Sequence, residues 1–499
     1  MKNMDGSMKK VLLFIMLCAS FCGIKAQVVY SDYSDPDVCE GDDGDYWMTA
    51  SSFQCTPGLP ILHSRDLVHW ELVNYALDFV PPVERYADVQ HGCGVWAPSI
   101  RKHGDTYYIY WGDPDCGVYM VKATDPRGKW SEPLLVMEAK GVIDTCPLWD
   151  DDGKAYMVNG WANSRCGFNS VITVREMSAD GTRMVGQPVM VYDGQIEGNH
   201  TIEGPKFYKH DGYYYILAPA GGVEKGWQVA LRSKYVLGGY ESKCVFDHEG
   251  IHQGGLIGDK FVCFQERGAY GRILHTLDVE WKDGWPMMKV HKPAYKATPV
   301  VWGGDEARAK TGLYHWHANY RDVFGFLTDE GVRVYGHNVS EGFVNMWEVP
   351  NLYMKKFDGE VFCDTLHTTI TANADGQQSG FIIMGRDYCR LAVEKDGEEF
   401  VMKRIVCKDA DKGGVEEAEV VAHVKAKKYN AGAMDNYECK VSFALRCDKG
   451  ALCHLSYSLD GKTFAELPTF QAREGKWIGA KYGVFSIAPQ GKPRGWIEF

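Results

Sequence analysis

Three acidic residues occupy the same place in three similar segments of the chain, each of them nine residues before a glycine. The pairs are Asp35 and Gly44, Asp144 and Gly153, and Glu203 and Gly212. Two carboxyl groups that flank a glycosidic bond can hydrolyse it, because one protonates the leaving oxygen while the other attacks the sugar or activates a water. A third carboxylate nearby disfavours ionisation of the acid and keeps its proton available near neutral pH. The spacing raises the question of whether the fold brings these three groups together.

The alternative is coincidence among the 66 acidic residues of the chain. Acidic residues are common in turns, where they stand directly beside the glycine, as in the segments DDG at 42–44 and 151–153. The three acids above lie further upstream and next to apolar, strand-like sequence. This position favours a functional role over a role in a turn.

The three segments belong to a repeat that occurs five times. Each copy has a turn that ends in glycine and then a run of β-branched and aromatic residues, as in HDGYYYILA at 210–218, which is typical of the second strand of a hairpin. The glycines stand at positions 44, 104, 153, 212 and 258. Intervals of roughly 50–60 residues are typical of four-stranded propeller blades. The sequence therefore predicts an all-β fold with a five-bladed β-propeller over about residues 28–295.

In a propeller the innermost strand of each blade runs along the central axis, so equivalent strand starts meet at one end of it. Asp35, Asp144 and Glu203 are therefore expected to face one another. The second repeat offers Trp96 at the related place as an aromatic wall, and the fifth offers His252. The structural alternatives are that Trp96 belongs to the blade core and that His252 is an ordinary hydrogen-bonded core histidine.

The composition restricts the class of partner. The chain has 499 residues, a net charge of −12 and a pI of about 5.8, which argues against nucleic acid because its binders need a basic surface. Plentiful aromatic and acidic side chains suit a neutral, hydroxyl-rich ligand instead. The sequence contains no cysteine or histidine cluster with zinc spacing and no GxSxG, HExxH or P-loop motif. We therefore predict no metal ligands and no required cofactor.

The N-terminal segment 1–26 has the pattern of a secretory signal peptide. Lys9 and Lys10 precede the apolar run VLLFIMLCASFCGI, and a small-residue site ends near Ala26. The run is too short to span a bilayer comfortably. We predict an exported protein, periplasmic or extracellular after cleavage and without a membrane span; a lipoprotein is the alternative. No disulfide is predicted among the later cysteines, because a chain of this length can form its core without one.

Several segments of the chain closely resemble glycoside hydrolase family 43. They are SDPDV, TASSFQCTPGLPILHSRDLVHW, GVWAPSI, IDTCPLWDDDGKAY, TIEGPKFY, LRSKYVLGGYE and GRILHTLDVEWKDGWPMM. The resemblance extends over nearly all of the chain after the signal segment. It implies a five-bladed propeller, in agreement with the repeat count, and an inverting enzyme. Members of this family are mostly β-xylosidases, α-L-arabinofuranosidases and arabinanases.

The resemblance also implies roles for the three acids. Asp35, before the proline of SDPDV, would be the general base, Asp144 would raise the pKa of the acid and orient it, and Glu203 would be the general acid. Asp37 stands close to Asp35 where the family usually has a small polar residue, so it is an alternative to Asp35 as the base, and Asp35 is preferred.

Four further residues are expected at the substrate by the same resemblance. Phe53 and Trp96 would line the sugar subsite, and His252 and Arg272 would contact the substrate or solvent on the axis. Arg272 could instead pair with a carboxylate between blades. In some family members the equivalent histidine helps to hold a calcium or sodium ion on the axis, which makes a structural ion possible here.

After about residue 300 the pattern changes. The segment 301–344, with HWHANYRDVFGF, is predicted to be a linker that crosses out of the propeller domain at 27–300. From 345 to 499 short alternating strands return, with the hairpin signal SLDGKTF, and predict a β-sandwich. This part resembles the lectin-like β-sandwich of many family 43 enzymes, which can lend a loop to the rim of the pocket. The alternative is a passive stabilising domain.

The resulting functional prediction is an inverting, exo-acting glycoside hydrolase that removes terminal pentose units from plant cell-wall oligo- or polysaccharides. The segments PGLPILHS and HQGG favour an α-L-arabinofuranosidase by resemblance, with β-D-xylosidase or dual activity as the alternative. A retaining fructan-cleaving enzyme would need NDPNG, RDP and EC motifs, which SDPDV, ATDPRG and IEGP do not match. A carbohydrate-binding propeller without catalysis would not need matched acids in three blades.

Overall fold

The structure is a computed structural model that describes residues 26–247, 250–328, 331–431 and 434–499. The predicted signal segment lies outside the described residues except for Ala26. Strands dominate throughout, and the predicted all-β class, a five-bladed β-propeller followed by a β-sandwich, is confirmed. Among the described residues no helix combines the length and the apolar character needed to cross a membrane.

The propeller consists of five antiparallel sheets, one for each copy of the repeat. From the innermost strand outward, blade 1 contains Asp37–Glu40, Tyr46–Thr49, Gly58–Ser64 and Glu71–Leu77. Blade 2 contains Trp96–His103, Thr106–Asp113, Gly117–Ala123 and Leu134–Glu138, and blade 3 contains Val142–Trp149, Ala155–Trp161, Val171–Met177 and Val189–Asp193. Blade 4 contains Lys206–His210, Tyr213–Ala220, Trp227–Ser233 and Glu241–Phe246, and blade 5 contains Ile251–Ile257, Lys260–Glu266 and Arg272–Lys282.

Blade 5 is completed from both ends of the propeller sequence. The first strand, Gln27–Asp32, pairs antiparallel with one part of Arg272–Lys282, and Trp285–Val290 pairs with the other part. The ring is thus closed by hydrogen bonds between the beginning and the end of the propeller. A propeller closed in this way leaves only short, protected sheet edges, which limits edge-to-edge aggregation.

The five repeated glycines lie where the sequence predicts turns. Each is in the hairpin between the innermost strand and the second strand of its blade, and each has a positive φ, from 55° at Gly258 to 83° at Gly153. Residues other than glycine adopt this conformation only at a cost. The regular spacing of these glycines in the sequence therefore follows from the regular succession of the blades.

The C-terminal part contains two packed sheets. One has the order His315–Trp316, Tyr353–Lys356, Lys481–Pro489, Gln378–Met384, Tyr388–Asp396, Glu399–Cys407 and Glu416–Lys425, with His337–Val339 also paired to Lys481–Pro489. The other has the order Gly325–Leu327, Val332–Tyr335, Trp496–Glu498, Phe362–Ala372, Met434–Asp448, Leu452–Ser458 and Ala465–Glu466, with Lys427–Ala431 and Phe470–Gln471 attached. Phe381 of the first sheet stacks on Phe443 of the second, with ring centroids 6.0 Å apart.

The segment 301–344 differs from its predicted role as a linker. Val301–Trp302 adds a parallel strand to the outer edge of blade 1, and the later part supplies short strands to both sheets of the sandwich. These strands have only two to four residues. Such short strands carry too little alternation to be recognised in a sequence, since the pattern needs about four residues or more.

Helical structure is confined to short turns. The described residues contain the α-helix Asn163–Cys166 and the 3-10 helices Asp42–Gly44, Arg85–Ala87, Gly268–Tyr270, Glu306–Arg308, Met346–Glu348 and Ala410–Lys412. The fourteen cysteines at positions 39–453 are all free thiols, nine of them buried and the other five partly or fully exposed.

The sandwich packs directly on the propeller. Tyr270 of blade 5 belongs to the hydrophobic core of the sandwich, and its hydroxyl accepts a hydrogen bond from the amide of Ala451 at 2.7 Å. The loop 472–480 of the sandwich, which we call the sandwich loop, approaches blade 5 at Gly479. A Cβ atom at Gly479 would lie 2.8 Å from the backbone nitrogen of Gly271, so two glycines permit this backbone contact.

Candidate active site

The chain is kinked where the innermost strands begin, at one end of the propeller. Asp35, Ala97, Asp144 and Gly204 all have positive φ, between 39° and 60°, and the pairing register of the strands that begin at Trp96 and Val142 shifts nearby. Positive φ at residues other than glycine stores backbone strain, which is concentrated at functional sites in many proteins. These kinks bring the side chains of different blades to one place.

Asp35 is held by two blades. Its Oδ2 accepts a hydrogen bond from Ser51 Oγ at 2.6 Å, and Arg272 Nη1 lies 3.1 Å from its Oδ1. Ser51 Oγ in turn accepts a hydrogen bond from the amide of Ala97 at 2.7 Å, which connects blade 1 to blade 2. Asp35 is buried to all but 7% of its surface. A guanidinium and a hydroxyl fix this carboxylate through charge-assisted hydrogen bonds.

Asp144 and Glu203 are linked through the backbone. The amide of Gly204 donates a hydrogen bond to Asp144 Oδ2 at 2.8 Å, so the carboxylate of blade 3 holds the segment that carries the glutamate of blade 4. Burial raises the pKa of Asp144 to about 6, although the hydrogen bond from Gly204 opposes this change. The negative charge of Asp35 raises it further.

The pKa of the Glu203 carboxyl group is shifted more than that of Asp144. Burial raises its pKa to about 8, and the negative charges of Asp144 and Asp35 contribute in the same direction. Its side chain nevertheless keeps 38% of its surface exposed, so another molecule can reach it. A carboxyl group that stays protonated near neutral pH beside ionised neighbours has the properties of a general acid. The three acids, which were expected to face one another, lie close enough for the charges of Asp144 and Asp35 to raise the pKa of Glu203.

Asp35 and Asp37 differ in their contacts. Asp37 is completely buried, and its Oδ2 accepts hydrogen bonds from the amide of Ile100 and from Arg101 Nη1 at 2.9 and 2.5 Å. Lys206, also completely buried, lies 3.9 Å away. Asp37 thus belongs to a charged network inside the propeller, whereas Asp35 is electrostatically coupled to Asp144 and Glu203.

His252 lies beside Glu203, and Arg272 lies beside Asp35. His252 Nε2 is 3.5 Å from Glu203 Oε1, and the ring is only 2% exposed. Burial, followed by the charge of Arg272, lowers the pKa of His252 to about 3, so its ring is neutral at physiological pH. Arg272 also lies over the ring of Phe264, with its Cζ 4.9 Å from the centroid.

The ring of His252 is a candidate ligand for the axial ion that the family resemblance implies for some members. Neither of its ring nitrogens has a hydrogen-bond partner within the described residues, so one of them could ligate a cation or bind solvent. The described part of the chain contains no group of three or more His, Cys, Asp or Glu side chains arranged to hold a metal. An ion at His252 would therefore take its remaining ligands from water or from backbone oxygens.

The aromatic residues form a wall that extends across both domains. Phe53 and Trp96 belong to the propeller, and the indole of Trp96 donates a hydrogen bond to the carbonyl of Gly92 at 2.9 Å. Trp477 of the sandwich loop lies 4.9 Å from Trp96 and 6.4 Å from Phe53, measured between ring centroids. Trp477 has a positive φ of 62° and is 43% exposed. The sandwich thus contributes a side chain next to the residues predicted to line the sugar subsite.

Sequence reasoning did not identify Ser51, Lys206 or Trp477. Ser51 lies within the quoted segment TASSFQC, but no repeat position marks its contact with Asp35. Lys206 follows Glu203 by three residues in a predicted strand. A lysine inside an apolar run could have indicated a buried charge. Trp477 stands in EGKWIGA, a segment rich in glycine that is typical of an exposed loop.

Comparison with protein families gives two matches that together extend over most of the chain. The model described as glycosyl hydrolases family 43 matches residues 24–286. The model described as the beta xylosidase C-terminal Concanavalin A-like domain matches residues 310–499. The two matched regions correspond to the propeller and to the sandwich.

Curated relatives match over different lengths. A Xylanibacter ruminicola protein named "Putative beta-xylosidase" is 30% identical over 497 residues, which cover 92% of this chain and 86% of that protein. A Formosa agariphila protein named β-xylosidase is 26% identical over 536 residues, with the same two coverages. A Bacteroides ovatus protein named non-reducing end α-L-arabinofuranosidase is 31% identical over 285 residues, which cover 50% of this chain and 51% of that protein.

Solved structures share the fold of both domains. A xylan β-1,4-xylosidase from Bacillus halodurans aligns with a TM-score of 0.75 and 20% identity over 94% of this chain and 98% of its own. A Bacteroides ovatus structure described as xyloglucan PUL GH43B aligns with a TM-score of 0.74 and 21% identity over 95% and 98%. This chain spans 63% of a longer Bacteroides eggerthii chain described as a bifunctional GH43-CE, with a TM-score of 0.76, 22% identity and 94% of this chain covered.

Proposed function

Because this chain belongs to glycosyl hydrolase family 43 and is a glycoside hydrolase, we propose that it is an inverting, exo-acting enzyme that releases terminal pentose units from plant cell-wall oligo- or polysaccharides. The observation that carries this proposal is the difference between two of the coupled carboxyl groups. Burial raises the pKa of Glu203 to about 8, whereas Asp35 is paired with the cation of Arg272. Inverting hydrolysis of a glycoside requires one carboxylic acid as the general acid and one carboxylate as the general base.

In the proposed mechanism Glu203 protonates the glycosidic oxygen as the bond to the sugar breaks. Asp35 removes a proton from a water that attacks the anomeric carbon from the opposite face, so the configuration inverts in a single displacement. Ser51 and Arg272 hold Asp35 toward that water. After the products leave, Asp35 releases to solvent the proton that it took from water, and Glu203 takes up a proton from solvent.

Asp144 would act through Glu203. Its negative charge helps to keep the proton on Glu203, and its hydrogen bond from the amide of Gly204 fixes the segment that carries the acid. General acids of this kind contribute about 10²- to 10⁴-fold to a rate when their pKa lies near the working pH. Asp144 is therefore assigned a positioning and tuning role without contact with the reacting atoms.

Phe53, Trp96 and Trp477 would bind the apolar faces of the terminal sugar. Aromatic side chains are common in carbohydrate and small-molecule pockets, where a few polar groups fix the orientation. The sandwich loop beside Trp96 would close one side of the site. A site closed on one side accepts the end of a chain more easily than its middle, which supports exo-acting cleavage.

The relatives bear on which pentose is removed. The two that match along most of this chain carry β-xylosidase names, whereas the one named α-L-arabinofuranosidase matches half of it. This supports a β-D-xyloside as the first candidate, although PGLPILHS and HQGG favour an α-L-arabinofuranoside by resemblance. Both sugars remain part of the proposal, with the xyloside ahead.

The reaction proposed here needs no cofactor, and His252 would be the one imidazole ligand of any structural ion on the axis. Export to the periplasm or cell exterior is part of the proposal, supported by the signal pattern of residues 1–26. Two assays test the function. Rates on nitrophenyl β-D-xylopyranoside and α-L-arabinofuranoside identify the sugar, and proton NMR of the first-formed product identifies the anomer. Retention of configuration would refute the inverting mechanism.

A further inference from the structure

A small cavity lies between the propeller and the sandwich, and none of the three acids lines it. It has a volume of about 50 Å³ and is lined by both domains. The propeller contributes Tyr33 and Cys55 among others, and the sandwich contributes His315, Lys356 and Lys481. A volume of this size holds a few waters or one small inorganic ion.

Two lysine side chains in this cavity have no carboxylate partner. Lys481 is only 4% exposed, and its Nζ donates a hydrogen bond to Cys55 Sγ at 3.0 Å. Lys356 Nζ donates to the backbone carbonyl of Asp32 and lies 3.8 Å from the centroid of the Tyr33 ring. Among the described residues neither ammonium group lies within ion-pair distance of an Asp or Glu side chain. Uncompensated charge in such a place is costly, since burial removes its hydration.

The carboxylates on the cavity wall are engaged elsewhere. Asp32 accepts hydrogen bonds from the amides of Arg272 and Gly479 at 2.9 and 3.1 Å. Asp358 pairs with Lys355 at 3.0 Å and accepts a hydrogen bond from the hydroxyl of a neighbouring tyrosine. Asp32 attracts Lys356 at longer range, but burial and the charge of Lys481 still lower the pKa of Lys356 to about 8. The cavity therefore keeps an excess of positive charge.

His315 adds a third donor. Its ring is 5% exposed and lines the same cavity, and its Nε2 has no hydrogen-bond partner within the described chain. Buried polar atoms in folded proteins are nearly always satisfied. In the tautomer with its proton on Nε2, the neutral ring can donate to a bound acceptor. Two ammonium groups and one imidazole N–H call for an anion rather than a cation.

We propose that this cavity binds a small monovalent inorganic anion of the halide class through Lys356, Lys481 and His315. The single negative charge of the anion, together with that of Asp32 on the cavity wall, would balance the two ammonium groups, and the anion would accept a hydrogen bond from the imidazole. Because the cavity is also lined by Phe53 and by Ile478, the residue after Trp477, the anion would join the two domains directly behind the aromatic wall. Its binding would stabilise the whole chain and the position of the sandwich loop.

The test compares the full-length protein in chloride and in gluconate, an anion too large for the cavity, at one ionic strength. We expect Tm to rise with chloride along a one-site saturation curve and to remain flat in gluconate. Lys481→Met should abolish the chloride-dependent rise. The exposed Lys440 provides a matched control, because Lys440→Met should leave the rise unchanged. Equal Tm values in chloride and gluconate would overturn the proposal.

A crystallographic experiment on the unaltered protein makes the test independent of whether Lys481→Met folds. Crystals soaked in sodium bromide should show an anomalous peak between Lys356 and Lys481. If the thiolate of Cys55 supplies the negative charge instead, no bromide peak will appear, and Cys55→Ser will lower Tm equally in chloride and gluconate. That result refutes the anion site and leaves the proposed hydrolase function untouched, since the hydrolase assays do not depend on it.

Discussion

Trp477 of the sandwich meets Trp96 of the propeller edge to face, with ring centroids 4.9 Å apart and an angle of 79° between the ring planes. Through this contact both domains contribute side chains to the candidate active site. The alternative considered for the sandwich, a purely passive domain, would leave the end of the propeller open. The contact instead predicts that a side chain outside the catalytic domain affects the reaction.

Trp477→Ala should lower kcat/KM on a terminal pentoside by about 10- to 100-fold, corresponding to about 1.4–2.7 kcal/mol of lost interaction. The loss should be smaller for kcat alone, because the indole binds sugar and does not transfer protons. Steady-state kinetics measure both parameters. Tyr235→Ala is the matched control, since Tyr235 is an exposed aromatic residue on an outer turn of blade 4. Equal kinetics for Trp477→Ala and the native protein would contradict a role in substrate binding.

Glu203→Gln should reduce turnover by about 10²- to 10⁴-fold on substrates with a poor leaving group, because the amide cannot donate the required proton. Substrates with a strongly acidic phenol as the leaving group should lose much less, since their oxygen leaves without protonation. Rates across a series of aryl pentosides measure this difference. The exposed Glu197 on the preceding loop supplies the control Glu197→Gln. A uniform loss across the series would show that Glu203 is not the acid.

Asp144→Asn should shift the alkaline limb of the pH profile to lower pH. In the proposed mechanism activity requires protonated Glu203 and is lost as pH rises through its pKa of about 8, so the alkaline limb of kcat/KM of the native enzyme is expected near pH 8. The asparagine removes a negative charge that raises this pKa, yet its oxygen can still accept the hydrogen bond from Gly204. The pH dependence of kcat/KM for both proteins gives the measurement, and an unchanged limb would contradict the tuning role.

Asp35→Asn and Asp37→Asn should separate function from stability. Asp35→Asn should lower kcat by about 10²- to 10⁴-fold, since a carboxylate base is lost from the site. Its Tm should fall less than that of Asp37→Asn, because Arg272 keeps the nearby negative charge of Asp144. Asp37→Asn should lower the free energy of unfolding by about 3–5 kcal/mol, because it leaves the charges of Arg101 and Lys206 buried without their partner. Thermal unfolding and kinetics of both variants provide the comparison. The reverse pattern would assign the base to Asp37.

The sequence predicted the parts of the structure that repeat. Each of the five inner hairpins has a glycine at a positive φ, so the sequence of the five blades contains five regularly spaced glycines. The three acids could be placed together because they occupy one position in this repeat. Asp35 and Asp37 could not be separated in the same way, because they stand two residues apart at the start of one strand and only their tertiary contacts distinguish them.

Features that depend on contacts between the domains were not predictable. Trp477 lies in a loop with no repeat, and its approach to Trp96 depends on how the sandwich packs on blade 5. Segment 301–344 was predicted to be a linker because its strands are very short, and it forms sheet only through partners far away in sequence. Nothing in the sequence around the lysines of the interdomain cavity distinguishes them from lysines on the surface. Their burial follows from the assembly of two domains.

The closure of the ring by Gln27–Asp32 has a consequence for biosynthesis. The strand Gln27–Asp32 leaves the ribosome well before its partner Arg272–Lys282, which belongs to the last blade. Contacts between such distant segments form late and slowly. Asp35 directly follows the first of these strands and Trp477 lies in the sandwich, so a nascent or truncated product that stops before residue 477 lacks one side of the candidate site. The complete candidate site therefore forms only after both domains have been synthesised.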